Sequence, residues 1–137
     1  ENGQIIIHKN CYIDDDVRII AARNGIVEIS EGTSIGRNTI INSGGEFKCG
    51  KFCLIGSNTN INTSEHANLS SKYIKMQPYK HGKIHLDDDV FIGSGVSILM
   101  NTLLRKGVII SSNSLISGDT QSFSVYAGNP AKFIRKR

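Results

Sequence analysis

No stretch of this 137-residue chain approaches the roughly 18 consecutive apolar residues that a spanning helix needs, so no membrane span is expected. No basic start leads into an apolar core, so no secretory leader is visible. The cysteines are few and odd in number: Cys11, Cys49 and Cys53. An odd count argues against a disulfide framework, and the three are read as reduced core residues of a cytoplasmic protein. Cys49 and Cys53 have CxxxC spacing, but no second ligand pair accompanies them, so no metal is expected there. Nucleic acid is not an expected partner either, because the aromatics do not interleave with the basic residues and no binding motif is present. The net charge of +4 is nevertheless uneven, since the last six residues, "KFIRKR", carry Lys132, Arg135, Lys136 and Arg137. That end reads either as a solvated tail or as a site for phosphates.

What the chain does have is a globular hydrophobic fraction of 39% and the length of one domain, 1–137. It also has a repeat. Leu86, Ile92, Ile98, Leu104, Ile110 and Ile116 follow one another at intervals of six, and Val90, Val96, Thr102, Val108, Ser114 and Thr120 lie four residues after each. With Ile, Leu and Val making up about a quarter of the chain, six aliphatics in register arise by chance in about 1 of 4000 trials, so the pattern is structural. The first half carries the same frame with slips. Ile7/Cys11, Ile13/Val17 and Ile19 are in step, then "AARNG" breaks it. It resumes through Ile29/Thr33, Ile35/Thr39 and Ile41/Gly45, and after a two-residue insertion through Cys49/Cys53, Ile55/Thr59 and Ile61.

A helix repeats at 3.6 and a strand at 2. A period of six instead fits short strands joined by tight bends, with Gly and Asn supplying positive φ at the bends. Three sides close a triangular coil of 18 residues, and stacked coils share parallel ladder hydrogen bonds around an aliphatic core. The sequence therefore predicts an all-β parallel solenoid of about five to six coils, with less regular ends. The frame fails between Ile61 and Leu86, where continuing it would turn Tyr73, Gln77 and Lys83 inward. Residues 62–83 are therefore predicted to leave the coil as a protruding loop, of a length that is usually functional or disordered. Its apolar middle, Tyr73 to Tyr79, suits a lid or wall packed on a neighbouring subunit. Residues 121–137 form a basic C-terminal extension.

The hexad resembles the signature of the hexapeptide-repeat acyltransferases, which are left-handed β-helices. "DDDVFIGSGVSIL" (87–99) and "SVYAGNPAKFIRKR" (124–137) look like that family's characteristic stretches. The resemblance is to the branch of galactoside and maltose acetyltransferases and of the O-acetyltransferases of bacterial surface polysaccharides, lipopolysaccharide included. It implies a left-handed helix, against the usual right-handed crossover rule. It also implies a homotrimer, with acetyl-CoA in the groove between subunits and a sugar or glycan hydroxyl as acceptor.

Acyl transfer to a hydroxyl needs a base near neutral pKa and donors for an oxyanion. By its place after the last hexad before the loop, His66 matches the family's base. The N–H of Ser94, after the triplet Phe91-Ile92-Gly93, matches the oxyanion donor, and Asn42 matches an asparagine beside the acceptor hydroxyl. Glu65 adjoins His66, but sequence neighbours rarely pair side by side. His8, His81 and His85 read as surface or loop residues, with His81 and His85 the rivals to His66. For CoA, the resemblance implies Phe91, Ser94, Ser112, Ser117 and Gly118 along the pantetheine, and Lys132 and Arg135 toward the phosphates. The "SGDTQS" segment (117–122) departs from the family pattern, placing Gly118 where a phosphate-facing lysine is usual. Three other functions compete: N-acetylation of an amino sugar nucleotide, a γ-type carbonic anhydrase with three zinc-binding histidines, and a non-catalytic trimeric scaffold. The closeness of His66, His81 and His85 to one loop argues against the zinc site.

Overall fold

The computed structural model describes residues 2–137 and is a parallel β-solenoid of triangular coils. Coil one comprises β1 (Gln4–Ile7), β2 (Tyr12–Ile13) and β3 (Arg18–Ala21). Coil two comprises β4 (Ile26–Ile29), β5 (Ser34–Ile35) and β6 (Ile40–Ser43). Coil three comprises β7 (Glu46–Cys49), β8 (Leu54–Ile55) and β9 (Asn60–Asn62). The chain then leaves the stack through β10 (Ser64–His66), a single 3-10 turn (Ile74–Met76) and β11 (Tyr79–His81). It returns as β12 (Lys83–Leu86), β13 (Phe91–Ile92) and β14 (Ser97–Leu104), whose second half already begins coil five. Coil five continues through β15 (Ile109–Ile110) and β16 (Leu115–Asp119). A partial sixth coil ends in β17 (Ser124–Gly128), on which β18 (Ala131–Lys136) folds back antiparallel.

Three flat faces result. Face one stacks β1, β4, β7, β12 and the end of β14; face two stacks β2, β5, β8, β13, β15 and β17; face three stacks β3, β6, β9 and the start of β14. Register shows where the slips go. Gln4 lies opposite Ile26, 22 residues on; Ile26 opposite Glu46, 20 on; Glu46 opposite Lys83, 37 on; and Ile84 opposite Thr102, 18 on. Each excess over 18 is inserted after face three and before face one, so all insertions collect at one edge of the prism.

The hexad positions form the core. The aliphatics from Ile29 to Ile116 are buried, and so are their position-five partners except half-buried Gly45. In coil two the position-five hydroxyls reach carbonyls of the next coil: Thr33 Oγ1 donates to Gly50 O at 3.0 Å and Thr39 Oγ1 to Gly56 O at 3.0 Å. In coil one the same positions have a coil on one side only, and Ile7 and Ile13 stay partly exposed. The basic end is not simply a solvated tail. Arg137 donates to Asp89 Oδ2 at 2.7 Å and Lys136 Nζ to Gln121 Oε1 at 3.1 Å, whereas Lys132 and Arg135 make no salt bridge among the described residues.

Candidate active site

The three edges differ. At the edge between faces two and three, each coil turns through one residue of positive φ: Asp16, Asn38, Asn58, Gly95 or Asn113. Just before these residues stand Gly36, Gly56 and Gly93. A Cβ on Gly56 would lie 2.6 Å from Ser94 N, and one on Gly93 2.5 Å from Ser112 N. The glycines thus let consecutive coils stack with their corner amides uncovered. The Ser94 N–H makes no hydrogen bond among the described residues. Beside this edge, face two carries a shallow groove of about 390 Å³, lined by Tyr12, Leu54, Gly56, Ser57, Phe91 and Ser94.

The edge between faces three and one is where the insertions stand. Its largest is a hairpin in which Ser64 pairs with His81, Glu65 with Lys80 and His66 with Tyr79. Strand alternation puts Ser64, His66, Tyr79 and His81 on one side and Glu65 and Lys80 on the other. Glu65 therefore points away from His66. The His66 ring lies 4.1 Å from the Tyr79 ring, centroid to centroid, and the Tyr79 ring 6.1 Å from that of His81. His66 Nδ1 is buried and has no hydrogen-bond partner among the described residues. His81 Nδ1 is hydrogen-bonded to Ser64 Oγ at 2.8 Å, and the Ser64 N–H donates to Asn62 Oδ1 at 3.1 Å.

Against this hairpin lies a cavity of about 280 Å³, lined by Ala22, Arg23, Asn42, Ser64, Tyr79 and His81, with Gly44 at its floor. A Cβ on Gly44 would stand 2.6 Å from His81 Nδ1, so the glycine makes room for the imidazole. The hairpin's outer loop is braced by buried Gln77, which donates to Leu69 O and Lys72 O and accepts from the Leu69 N–H. The tip beyond it leaves Tyr73 87% and Met76 78% exposed.

The sequence-derived residues thus fall on two edges. Asn42, His66, Ser117 and Gly118 belong to the insertion edge, with Asn42 in the cavity and His66 outside its lining, paired across the hairpin with Tyr79, which does line it. Phe91, Ser94 and Ser112 belong to face two and its edge, and Lys132 and Arg135 to β18 above that face. A single chain does not bring the two groups together. The sequence alone does not single out Arg23 or Ser64, marks Tyr79 only as part of the lid, and makes His81 a rival to His66; the structure places Arg23, Ser64, Tyr79 and His81 around one cavity. Among the other histidines, His8 and His85 are tied to Glu28 and Glu46 on face one. No group of three or more His, Cys, Asp or Glu side chains in metal-binding proximity occurs among the described residues.

Known proteins resemble this chain over nearly its whole length. No protein-family model matches it. The dTDP-4-amino-4,6-dideoxy-D-glucose acyltransferase of Escherichia coli is 30% identical over 98% of this chain and 62% of its own length. The putative lipopolysaccharide biosynthesis O-acetyl transferase WbbJ of Escherichia coli K12 is 26% identical over 96% and 78%. The mitochondrial gamma carbonic anhydrase 2 of Arabidopsis thaliana is 30% identical over 96% and 52%. The chain spans about half or less of several of the curated relatives it matches. Among solved structures, a hexapeptide-repeat-containing acetyltransferase of Vibrio cholerae superposes with a TM-score of 0.83 at 23% identity, covering 96% of this chain and 72% of that one. It has also been solved with acetyl coenzyme A. The fold and its hexad core are those of a left-handed β-helix. In repeat, fold and relatives the chain is similar to the hexapeptide-repeat acyltransferases.

Proposed function

We propose that this chain transfers an acetyl group from acetyl-CoA to a hydroxyl of a sugar or surface-glycan precursor, working as a homotrimer whose sites lie between subunits. One observation carries the reading. The imidazoles, Asn42 and a cavity share the insertion edge, while the uncovered Ser94 N–H and the Phe91 groove lie on the neighbouring face. Two unlike surfaces on one chain complete each other when they meet head to tail, and a closed three-fold ring repeats that contact. The exposed apolar tip around Tyr73 and Met76 is suited to reach across the seam.

Acetyl-CoA fits the other side. Glycine-stacked corners leave backbone amides open to a pantetheine arm, Ser112 adjoins them, and Lys132 and Arg135 supply unpaired cations for phosphates. Ser117 and Gly118 stand on the insertion edge, where a Cβ on Gly118 would meet nothing within 4 Å, so they would touch CoA from the partner's side of the seam. In the reaction, the His66 imidazole accepts the hydroxyl proton as the acceptor oxygen bonds to the thioester carbonyl carbon. The Ser94 N–H donates to the resulting oxyanion. The C–S bond then breaks, and the imidazolium returns its proton to the CoA sulfur.

A second reading of the base has its own support, because His81 and not His66 lines the cavity. Parallel assay of His66→Ala and His81→Ala by thiol release, against a panel of sugars and sugar nucleotides, separates them. The base variant is expected to lose about 10²- to 10⁴-fold in kcat with its melting temperature nearly unchanged. Full activity in His66→Ala would remove it as base. The same panel decides between hydroxyl and amine acceptors. Zinc in the purified protein together with CO₂ hydration would favour the carbonic anhydrase reading instead.

A further inference from the structure

Arg23 stands in the "AARNG" step between coils one and two, the first insertion of the insertion edge. Its backbone is left-handed, with φ of +58°, and the turn is closed by the Gly25 N–H donating to Ala22 O at 2.8 Å. Gly25 seats that turn on the next coil, since a Cβ there would fall 2.0 Å from Ser43 O. So placed, the guanidinium lies over the Tyr79 ring, 5.6 Å from its centroid, at the mouth of the cavity that holds Asn42 and His81. The Arg23 side chain donates no hydrogen bond among the described residues, so its planar N–H fork is unused. Arg23 makes no salt bridge among the described residues, whereas Lys9, Arg37, Lys48, Lys83, Arg105 and Arg137 each face a carboxylate. The cavity lining contains no acidic side chain, and Glu65, the acid on the hairpin, is on its far side. The site is thus a cation with no carboxylate partner among the described residues, beside the His81 imidazole and the Asn42 amide.

We infer that the acceptor carries an anionic group, a sugar carboxylate or a phosphoryl, which Arg23 grips with its fork while the reacting hydroxyl faces the imidazole. The fate of that hydroxyl rests on the acetyl transfer proposed above; the anion site does not. A guanidinium fork matches both anions in geometry, so the chemistry is shared and the source is settled by experiment.

The test is an NMR titration of the full chain with D-glucuronate, D-glucose 1-phosphate and D-glucose. It compares wild type, Arg23→Gln, Arg23→Lys and, as a matched loss of one positive charge elsewhere, Lys51→Gln. At least one anion is expected to bind about tenfold or more tightly than glucose, with Arg23→Gln abolishing that preference, Arg23→Lys keeping part of it and Lys51→Gln keeping it whole. Preference for glucuronate identifies a carboxylate acceptor, and preference for the sugar phosphate a phosphoryl one. Anion affinity equal to that of glucose, or equally reduced in Arg23→Gln and Lys51→Gln, overturns the inference. In turnover with acetyl-CoA and the preferred anion, Arg23→Gln is expected to raise the acceptor KM about tenfold or more, with a smaller change in kcat. Absence of thiol release from wild type with every acceptor would overturn acetyl transfer while leaving the anion site to be judged by the titration.

Discussion

Two edges of the same prism carry the same bend in different ways. Between faces two and three, each of the five coils repeats one corner without insertion and with one left-handed residue, and in coils two to four a glycine there stacks against an amide of the next coil. Between faces three and one, the chain adds four residues, then two, then nineteen, and the cavity, the imidazoles and Arg23 all sit there. A solenoid coil touches only its neighbours, so an insertion at a corner leaves the ladder intact as long as the strands resume in register. The candidate site stands where the repeat can be interrupted without disturbing the core.

The largest expected effect comes from breaking what both edges share. Ile92→Ala removes a fully buried aliphatic from the middle of the stack and should cost about 2–5 kcal/mol, lowering the melting temperature by roughly 10 °C or more. A shift of one or two degrees, measured by calorimetry, would mean the core is not continuous through coil four.

A matched pair of glycine variants separates the edges more finely. At Gly56, on the regular edge, a methyl group meets backbone: Ser94 N at 2.6 Å, Gly93 C at 2.7 Å and Ile92 O at 2.9 Å. The coils must part, and Gly56→Ala is expected to cost about 1–3 kcal/mol. At Gly44, on the insertion edge, the methyl meets the His81 ring and Ser64 Oγ, side-chain atoms that can turn aside. Gly44→Ala should therefore melt close to wild type yet lose about tenfold in kcat/KM, because it displaces groups of the proposed reacting centre. If the two variants shift stability and turnover in the same proportion, the division of labour between the edges is wrong.

The regular edge is also why the fold could be read from the chain and the site only in part. From Leu86 to Ile116 the register advances by 18 with nothing added at any corner, so inward residues keep a single phase. "AARNG" and "NSGG" reset that phase at the insertion edge, which is why the first half reads as a damaged repeat. The site depends on contacts that no period encodes. His81 reaches the cavity because Ser64, His66, Tyr79 and His81 share one side of an antiparallel pair whose strands are separated by the whole outer loop. Arg23 reaches Tyr79 from two coils below. A histidine at the foot of an excursion was visible in the sequence; which imidazole faces the cavity follows from pairing the two strands in one particular register.

The smallest expected effect tests the faces, where charges decorate strands that neither edge interrupts. Burial alone would push the Glu46 carboxyl up, but the hydrogen bond with His85 and the charges of Lys48, His85 and Lys83 outweigh it and leave it below the usual range. The Asp119 carboxyl is also lowered, chiefly by its two-pronged hydrogen bonds with Arg105 at 2.9 and 2.8 Å. A carboxyl lowered in the folded state stabilises it above the unfolded carboxylate pKa, and that stability is lost as pH falls through the folded value. The melting temperature should therefore decline as pH drops below about 4.5, more gently in 0.5 M salt because both pairs are solvent-accessible and screened. Glu46→Gln and Asp119→Asn should each flatten part of that decline without altering acceptor preference at neutral pH. An unchanged slope in both variants would place the acid sensitivity elsewhere, and a changed acceptor preference in Glu46→Gln would extend the working surface beyond the insertion edge onto face one.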